Sequence, residues 1–511
     1  MNAVIIGSGI AGIATSIRLA CLGIQVNVYE ANAYPGGKLT AINQGEYRFD
    51  AGPSLFTMPQ FVDELFELAG ARPSDHFEYT KLGVACKYFY EDQTQITAYT
   101  NIDQFCGEIE SKLDHPSQEV KNYLTECATL YDVTSSIFLE KSLHRLESYW
   151  STDVLKALFY IHRLNLTRSM NQVNVRKLSH PKLVQLFNRF ATYNGSNPYT
   201  APGVLNMIPH LEHNIGTFYP KGGMHSITQS LVKLAENLGV TFHYNHRVTE
   251  IVIVEGQAIG IRHDQSPHTI LADWVVSNMD IVPTYRYLLP KQPQPERTLQ
   301  QERSSSALIF YWGITQTFPE LELHNIFFSE DYQTEFNHIF KTKTVYHDPT
   351  IYVNISSKED SNDAPEGCEN WFVMINVPHN IGQNWDEIIV QAREQILQKL
   401  SRMLCVNLRS LIESESILEP RSIETRTSSY LGALYGASSN NRFAAFLRHP
   451  NFSYKIPQLY FVGGSVHPGG GIPLCLLSAK ITADIIRKKH SLSYTYQLTK
   501  NEQSQHEHIP Y

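Results

Sequence analysis

The chain opens on an apolar run, Ala3-Val4-Ile5-Ile6, that leads without a break into Gly7-Ser8-Gly9-Ile10-Ala11-Gly12. This junction restricts the fold more tightly than any other stretch. A short apolar run reads as a buried parallel strand. Ile13, Ile17, Leu19 and Ala20 then give a helical apolar face, and Gly23 caps it. Gln25–Tyr29 reads as a second strand, closed by Glu30. Strand, glycines, helix, strand and acid, in that order, form the pattern of a dinucleotide-binding βαβ unit. Gly7 permits the tight turn, Gly9 lets a pyrophosphate approach the backbone, and Gly12 lets helix and strand pack closely. The helix N-terminus faces the phosphates with free N–H groups and the positive end of its dipole. Glu30 stands eighteen positions after Gly12, close to the roughly 20 usual for a ribose-binding acid. Its charge disfavours a 2′-phosphate.

A second such turn lies near the other end. Leu459-Tyr460-Phe461-Val462 is an apolar strand, Gly463 to Pro473 a glycine-rich turn holding Gly464, Ser465, Gly471 and Ile472, and Leu474–Ile486 an apolar helix. Its N-terminal amides can meet the middle of a long cofactor. Two smaller clusters, Pro35-Gly36-Gly37-Lys38 and Phe49-Asp50-Ala51-Gly52-Pro53-Ser54, follow the first unit. Two clamps so distant in sequence suit FAD rather than NAD. No second G-x-G-x-x-G is present, which argues against NAD(P)H as the reductant.

A chain of 511 residues predicts more than one packed unit. With 42% apolar and 18% charged residues it is neither disordered nor collagen-like. A net charge of −8 argues against a nucleic-acid partner. The seven cysteines are scattered with no CxxC, which excludes zinc clusters and thioredoxin-like redox and suits a reducing compartment. No run of apolar residues predicts a transmembrane helix, and no basic region precedes the first apolar stretch as in a secretory signal.

The glycine turn, Pro35-Gly36-Gly37-Lys38, Phe49 to Ser54, and Gly463-Gly464-Ser465-Val466-His467-Pro468-Gly469-Gly470-Gly471-Ile472-Pro473 together resemble the bacterial phytoene-desaturase family of carotenoid desaturases. That family belongs to the larger FAD-dependent amine-oxidase-like superfamily. The stretches Ala191 to Pro202 and Tyr219 to Met224 are most similar to its 1-hydroxycarotenoid 3,4-desaturase branch. The resemblance implies an α/β fold: a Rossmann-like FAD-binding domain with a discontinuous mixed α+β substrate domain. It places FAD against Gly7, Gly9, Gly12, Glu30, Gly37, Lys38, Gly52, Pro53, Ser54, Gly464, Ser465, Gly471 and Ile472. The position matching Val248 touches adenine through its backbone. Lys38 stands where many relatives have Arg, and Ser465 where amine oxidases place an acid; the latter suits the carotenoid branch.

On this reading residues 1–80, 220–290 and 421–492 form the FAD-binding domain, 81–219 and 291–420 the substrate domain, and 493–511 a polar tail. Residues 81–219 are richer in helix-like patterns. Arg247–Val254 and Ala258–Arg262 read as a hairpin about Glu255-Gly256. Ala307–Trp312 and Trp371–Val377 read as strands, and Trp385–Leu404 as a helix. The resemblance implies hydride transfer from an acyclic C40 carotenoid to flavin, with oxygen or a quinone as the final acceptor. Phytoene desaturase, carotene isomerase and, from another class, flavin amine oxidase remain open.

Residues 151–190 hold Lys156, Arg163, Arg168, Arg176, Lys177, Lys182 and Arg189 against the single acid Asp153, with apolar residues between. The stretch reads either as two ordinary helices with a solvated basic face or as a basic amphipathic surface on a membrane. The second fits a protein peripheral to the inner face of the cell membrane. His467 is the titratable side chain of the C-terminal turn, a candidate proton acceptor or a plain turn histidine. His210-Leu211-Glu212-His213 has metal-ligand types without HExxH spacing and reads as a polar segment, so no metal is expected. A terminal hydroxyl on the substrate would require a buried polar pair in the tunnel.

Overall fold

Alternation along the first strand sets the layers. In the computed structural model, which describes residues 1–139, 141–142, 144, 164–441 and 448–494, Asn2–Ile6 is the centre of a five-stranded parallel sheet. The order is Leu459–Phe461, Trp274–Ser277, Asn2–Ile6, Gln25–Tyr29, Thr241–His243. Strands buried on both faces carry apolar residues at every position. Five helices bear on the site: α1 (Ile10–Ala20), α2 (Pro181–Asn188), α3 (His225–Asn237), α4 (Trp385–Met403) and α5 (Ile472–Lys489). Ala3 and Ile5 pack with Ile13 and Ile17 of α1, Leu231 of α3 and Leu476 of α5. Val4 and Ile6 face the other way, onto Ile251, Ile261 and Phe461. Burying each such Ile or Leu contributes roughly 1.5–3 kcal/mol, so register on this sheet is set by two cores at once.

The predicted hairpin is Val248–Val254 paired with Gln257–His263, with Ser266–Leu271 as a third strand. A seven-stranded mixed sheet runs Ile412–Leu418, Ser306–Ile314, Glu369–Val377, Ile351–Asn354, His324–Phe327, Val84–Phe89, Gln95–Tyr99. One face, with Phe310, Trp312, Trp371 and Val373, packs on Ile396 and Leu400 of α4. The other, with Ala307, Ile309, Tyr311 and Phe372, meets Tyr47 and Phe49. The stretch 81–219 opens with two strands before the expected helices Ile102–Leu113, Gln118–Phe138, Met170–Lys177 and Pro181–Asn188. Val84–Phe89 pairs with His324–Phe327, a partner far away in sequence that no local pattern reveals.

The basic stretch 151–190 is described in part. Residues 151–163, with Lys156 and Arg163, lie outside the described residues, as does the tail Gln497–Tyr511. In the remainder, α2 turns Leu183, Leu186 and Phe187 into a core that also takes Phe190. Arg189 is buried, Lys177 pairs with Glu126 at 2.7 Å, and Lys182 pairs with Asp92. Arg168 and Arg176 remain exposed. Apart from exposed Val175, the apolar residues of 164–190 thus pack mainly on protein, because a helix beside a large core buries its apolar face there. Among the described residues no helix is long and apolar enough to cross a membrane.

Candidate functional site

The first glycine turn sits where the Asn2–Ile6 strand ends. Gly7 donates its N–H to the Tyr29 carbonyl at 2.8 Å, tying the turn to the second strand. Gly9 is the N-cap of α1 and has an ordinary extended backbone, φ −65°, with no side-chain cap on the helix. Its glycine is needed for space: a Cβ there would lie 2.7 Å from Asn278 Oδ1. Asn278 donates its backbone N–H to Ile6 and its Nδ2 to the Val462 carbonyl, at 2.8 and 3.2 Å. One residue, by backbone and side chain, therefore joins the ends of three strands. Gly12 faces away from the opening; a Cβ on it would meet the Gly7 carbonyl at 2.3 Å, so it is a packing residue. Glu30 is buried, and its carboxylate is fixed over the turn. Oε2 accepts from Ser8 N–H and Oγ, both at 2.8 Å, and Oε1 accepts from Asn32 N–H and Nδ2 at 2.8 and 2.9 Å.

The second turn mirrors this at the sheet edge. Gly463 donates its N–H to Ser478 Oγ at 3.1 Å, and Ser465 Oγ accepts the Ile281 N–H at 3.0 Å. Gly471 caps α5 at φ +102°, ψ 151°, a backbone conformation essentially restricted to glycine. A Cβ on it would meet nothing within 4 Å. Lys38 donates to the Leu434 carbonyl at 2.7 Å; burial lowers its pKa, offset by the nearby Asp280 carboxylate. Arg448, buried, holds the Tyr435 and Gly464 carbonyls at 2.8 and 3.3 Å. Burial pushes its pKa down to about 10, with Arg303 acting in the same direction.

Both turns open on one cavity of about 500 Å³. Gly7, Gly9, Glu30, Gly37, Lys38, Gly52, Pro53, Ser54, Val248, Gly464, Ser465, Gly471 and Ile472 all line it. Two helix N-termini without side-chain caps and one buried ammonium are a donor set fitted to a bridging pyrophosphate. His467 is not in this wall. Its ring is buried and donates Nε2–H to the Lys141 carbonyl at 2.9 Å, and burial pushes its pKa down to about 4. It pins the turn to Lys141, and the structure gives it no access to a proton released in the cavity.

Away from the glycine turns the wall changes. Ala307, Ile309, Ile326, Phe372, Met374 and Leu418 form apolar sides. Arg189, Tyr193 and Glu212 add a buried polar cluster. Arg189 Nη2 donates to Glu212 Oε1 at 2.6 Å and Nε to Tyr88 Oη at 2.9 Å, while Tyr193 donates to Glu212 Oε2. Burial alone would raise the Glu212 pKa; the Arg189 guanidinium outweighs that and holds it below its ordinary value. Glu212, read from sequence as part of a plain polar segment, is thus the anion of a buried ion pair. Asn278, Asp280, Arg189, Tyr193, His324 and Tyr352 are further polar wall residues that sequence reasoning missed. Only Asn278 had a local signal, as the residue that ends an apolar strand.

A family model described as flavin containing amine oxidoreductase matches residues 10–487. The chain is 53% identical, over 95% of its length and 99% of the relative's, to a 1-hydroxycarotenoid 3,4-desaturase of Flavobacterium sp. (strain P99-3). It is 33% identical, over 96% of its length and 98% of the relative's, to a 4,4'-diaponeurosporene oxygenase of Staphylococcus aureus (strain MRSA252). Among solved structures, an oxidoreductase from Methanosarcina mazei superposes with a TM-score of 0.62 at 14% identity, covering 96% of this chain and 100% of that one. Cyclohexylamine oxidase from Brevibacterium oxydans IH-35A gives 0.62 at 13% identity, covering 96% and 99%. At such identities the solved structures share the fold.

Proposed function

The chain belongs to the flavin-containing amine oxidoreductase family, and from that premise we propose that it is a carotenoid desaturase acting on an acyclic, preferably 1-hydroxylated carotenoid at the 3,4 bond. It is an FAD-dependent oxidoreductase. The observation that carries the substrate reading is the continuity of one cavity from the glycine turns into the apolar wall of Ala307, Ile309, Ile326, Phe372, Met374 and Leu418. Such a wall accepts a hydrocarbon.

Residues 1–80, 220–290 and 421–492 would make the flavin-binding part. The free N–H groups at the starts of α1 and α5, with Lys38, would take the charge of the phosphates. Glu30 would accept from ribose, and the Val248 backbone would meet adenine. Gly37, Gly52, Pro53, Ser54, Gly464, Ser465, Gly471 and Ile472 would hold the remainder. Bound FAD supplies a two-electron acceptor for a C–H bond. The apolar sides exclude water and align the polyene.

Anaerobic mixing tests the reading. The flavin absorbance is expected to bleach with a 1-hydroxylated acyclic carotenoid, giving a product lighter by two hydrogens. Bleaching by amines, or none with carotenoids, would overturn it. Because the relatives at 33% identity carry an oxygenase name, a product that gains oxygen would overturn it too. Oxygen or a quinone would complete the turnover. Contact with the inner face of the cell membrane is part of the same proposal, since the substrate is a lipid. Arg168 and Arg176 are two of its exposed, described basic residues. Replacing both by Glu should weaken flotation with anionic vesicles, and unchanged flotation removes them from the contact.

A further inference from the structure

His324 opens the His324–Phe327 strand and lines the cavity with a ring that is 2% exposed. Its Nδ1 is 2.8 Å from Tyr352 Oη and 3.2 Å from Asn354 Nδ2. The Asn354 amide is fixed by a second bond from Nδ2 to the Leu323 carbonyl at 3.1 Å, so Nδ2 donates to both. An amide nitrogen can only donate. Nδ1 therefore accepts, and the ring proton resides on Nε2. Burial also pushes the ring's pKa down to about 4, so it is neutral.

Nε2–H is buried and has no partner. Among the described residues it is the one buried side-chain polar atom of the cavity wall left so. The neighbouring Arg189, Glu212 and Tyr193 satisfy one another. A buried donor without an acceptor is uncommon in folded proteins and calls for an unseen acceptor. Tyr352 connects this donor to the flavin side of the cavity: its Oη is 2.8 Å from Ser54 Oγ, in the Gly52–Ser54 turn. A hydroxyl on C1 lies two carbons from a bond formed at C3–C4, so whatever reads that hydroxyl must sit close to the reacting carbons. His324 stands one hydrogen-bonded tyrosine away from the turn proposed to hold the flavin.

We propose that His324 Nε2–H donates a hydrogen bond to the terminal hydroxyl oxygen of the substrate, and that Asn354 sets the tautomer which makes it a donor. The inference rests on the carotenoid reading above. A polyene lacking the oxygen would leave this N–H unpaired inside an apolar tunnel, and a site built to bond a substrate hydroxyl rejects the analogue without one. Selection among acyclic carotenoids is thereby assigned to one ring nitrogen.

The experiment compares kcat/KM for a 1-hydroxylated acyclic carotenoid and for the same polyene without the hydroxyl, on FAD-loaded enzyme. Wild type is expected to prefer the hydroxylated substrate by at least about 100-fold. His324→Phe should bring the ratio near one by losing the hydroxylated reaction, and His324→Gln, which retains an N–H donor, should restore part of the preference. A His324→Phe enzyme with normal flavin content and an unchanged ratio would overturn the inference, as would a wild type without preference. If His324→Phe does not fold, His324→Leu decides: it should lower the ratio without loss of flavin, and an unchanged ratio counts against the proposal. Failure of wild type to oxidise either polyene would sink the desaturase reading itself, a separate outcome.

Discussion

At the scale of single residues, the positions expected from sequence that line the cavity for a visible reason are those whose reason is local. Gly7, Gly9 and Glu30 are legible because strand, turn and helix fall within thirty residues. Even there the reason shifts: the space a Cβ on Gly9 would need is taken by Asn278. Asn278, His324 and Arg189 were illegible, since each acquires its role from partners supplied by distant strands. His467 illustrates the reverse error, a titratable residue in a conspicuous motif whose ring the fold directs elsewhere. The Arg189–Glu212 pair is where a single change should cost most. Both side chains are buried, and removing one partner leaves the other charge uncompensated, a loss of about 3–5 kcal/mol. Arg189→Leu should therefore lower the urea midpoint sharply, and adding Glu212→Gln should recover part of the loss. A midpoint within error of wild type would show that the pair is not a buried ion pair.

At the scale of elements, period and punctuation were good guides where an element is long or bounded by glycine. The hairpin about Glu255-Gly256, the strand Ser306–Ile314 and the helix α4 all appear within a few residues of their predicted ends. Short strands such as Val84–Phe89 did not, because their pairing is non-local. The basic stretch left two readings open for another reason: alternation of charge and apolar side chains is the same whether the apolar face meets lipid or protein. α5 carries the testable element-level claim. Its first residue is preceded by Gly471 at a positive φ, which a Cβ strains by about 1–3 kcal/mol even though open space surrounds it. Gly471→Ala should lower stability by that amount and shift the helix start. FAD occupancy after dialysis should fall several-fold. Full occupancy would mean that α5 does not contribute to nucleotide binding.

At the scale of the molecule, burial of histidines predicts how stability follows pH. His213, His324, His379, His449 and His467 are each pushed down to about 4, in every case chiefly by burial. An unfolded histidine titrates near 6.5. Between these values the unfolded chain binds more protons than the native one, so stability is complete above about pH 6.5 and declines as pH falls toward 4. Thermal unfolding midpoints measured at about pH 7.5, 6 and 5 should drop progressively, and a flat profile would show that these rings are accessible to protons in the native state.

The strand Leu459–Phe461 completes the sheet edge next to Trp274–Ser277, and α5 packs against α1. A ribosome that has delivered α1 must therefore still deliver some 450 residues before the opposite jaw exists. Loading of the coenzyme belongs after synthesis, and any premature stop upstream of α5 should yield a chain that never turns yellow.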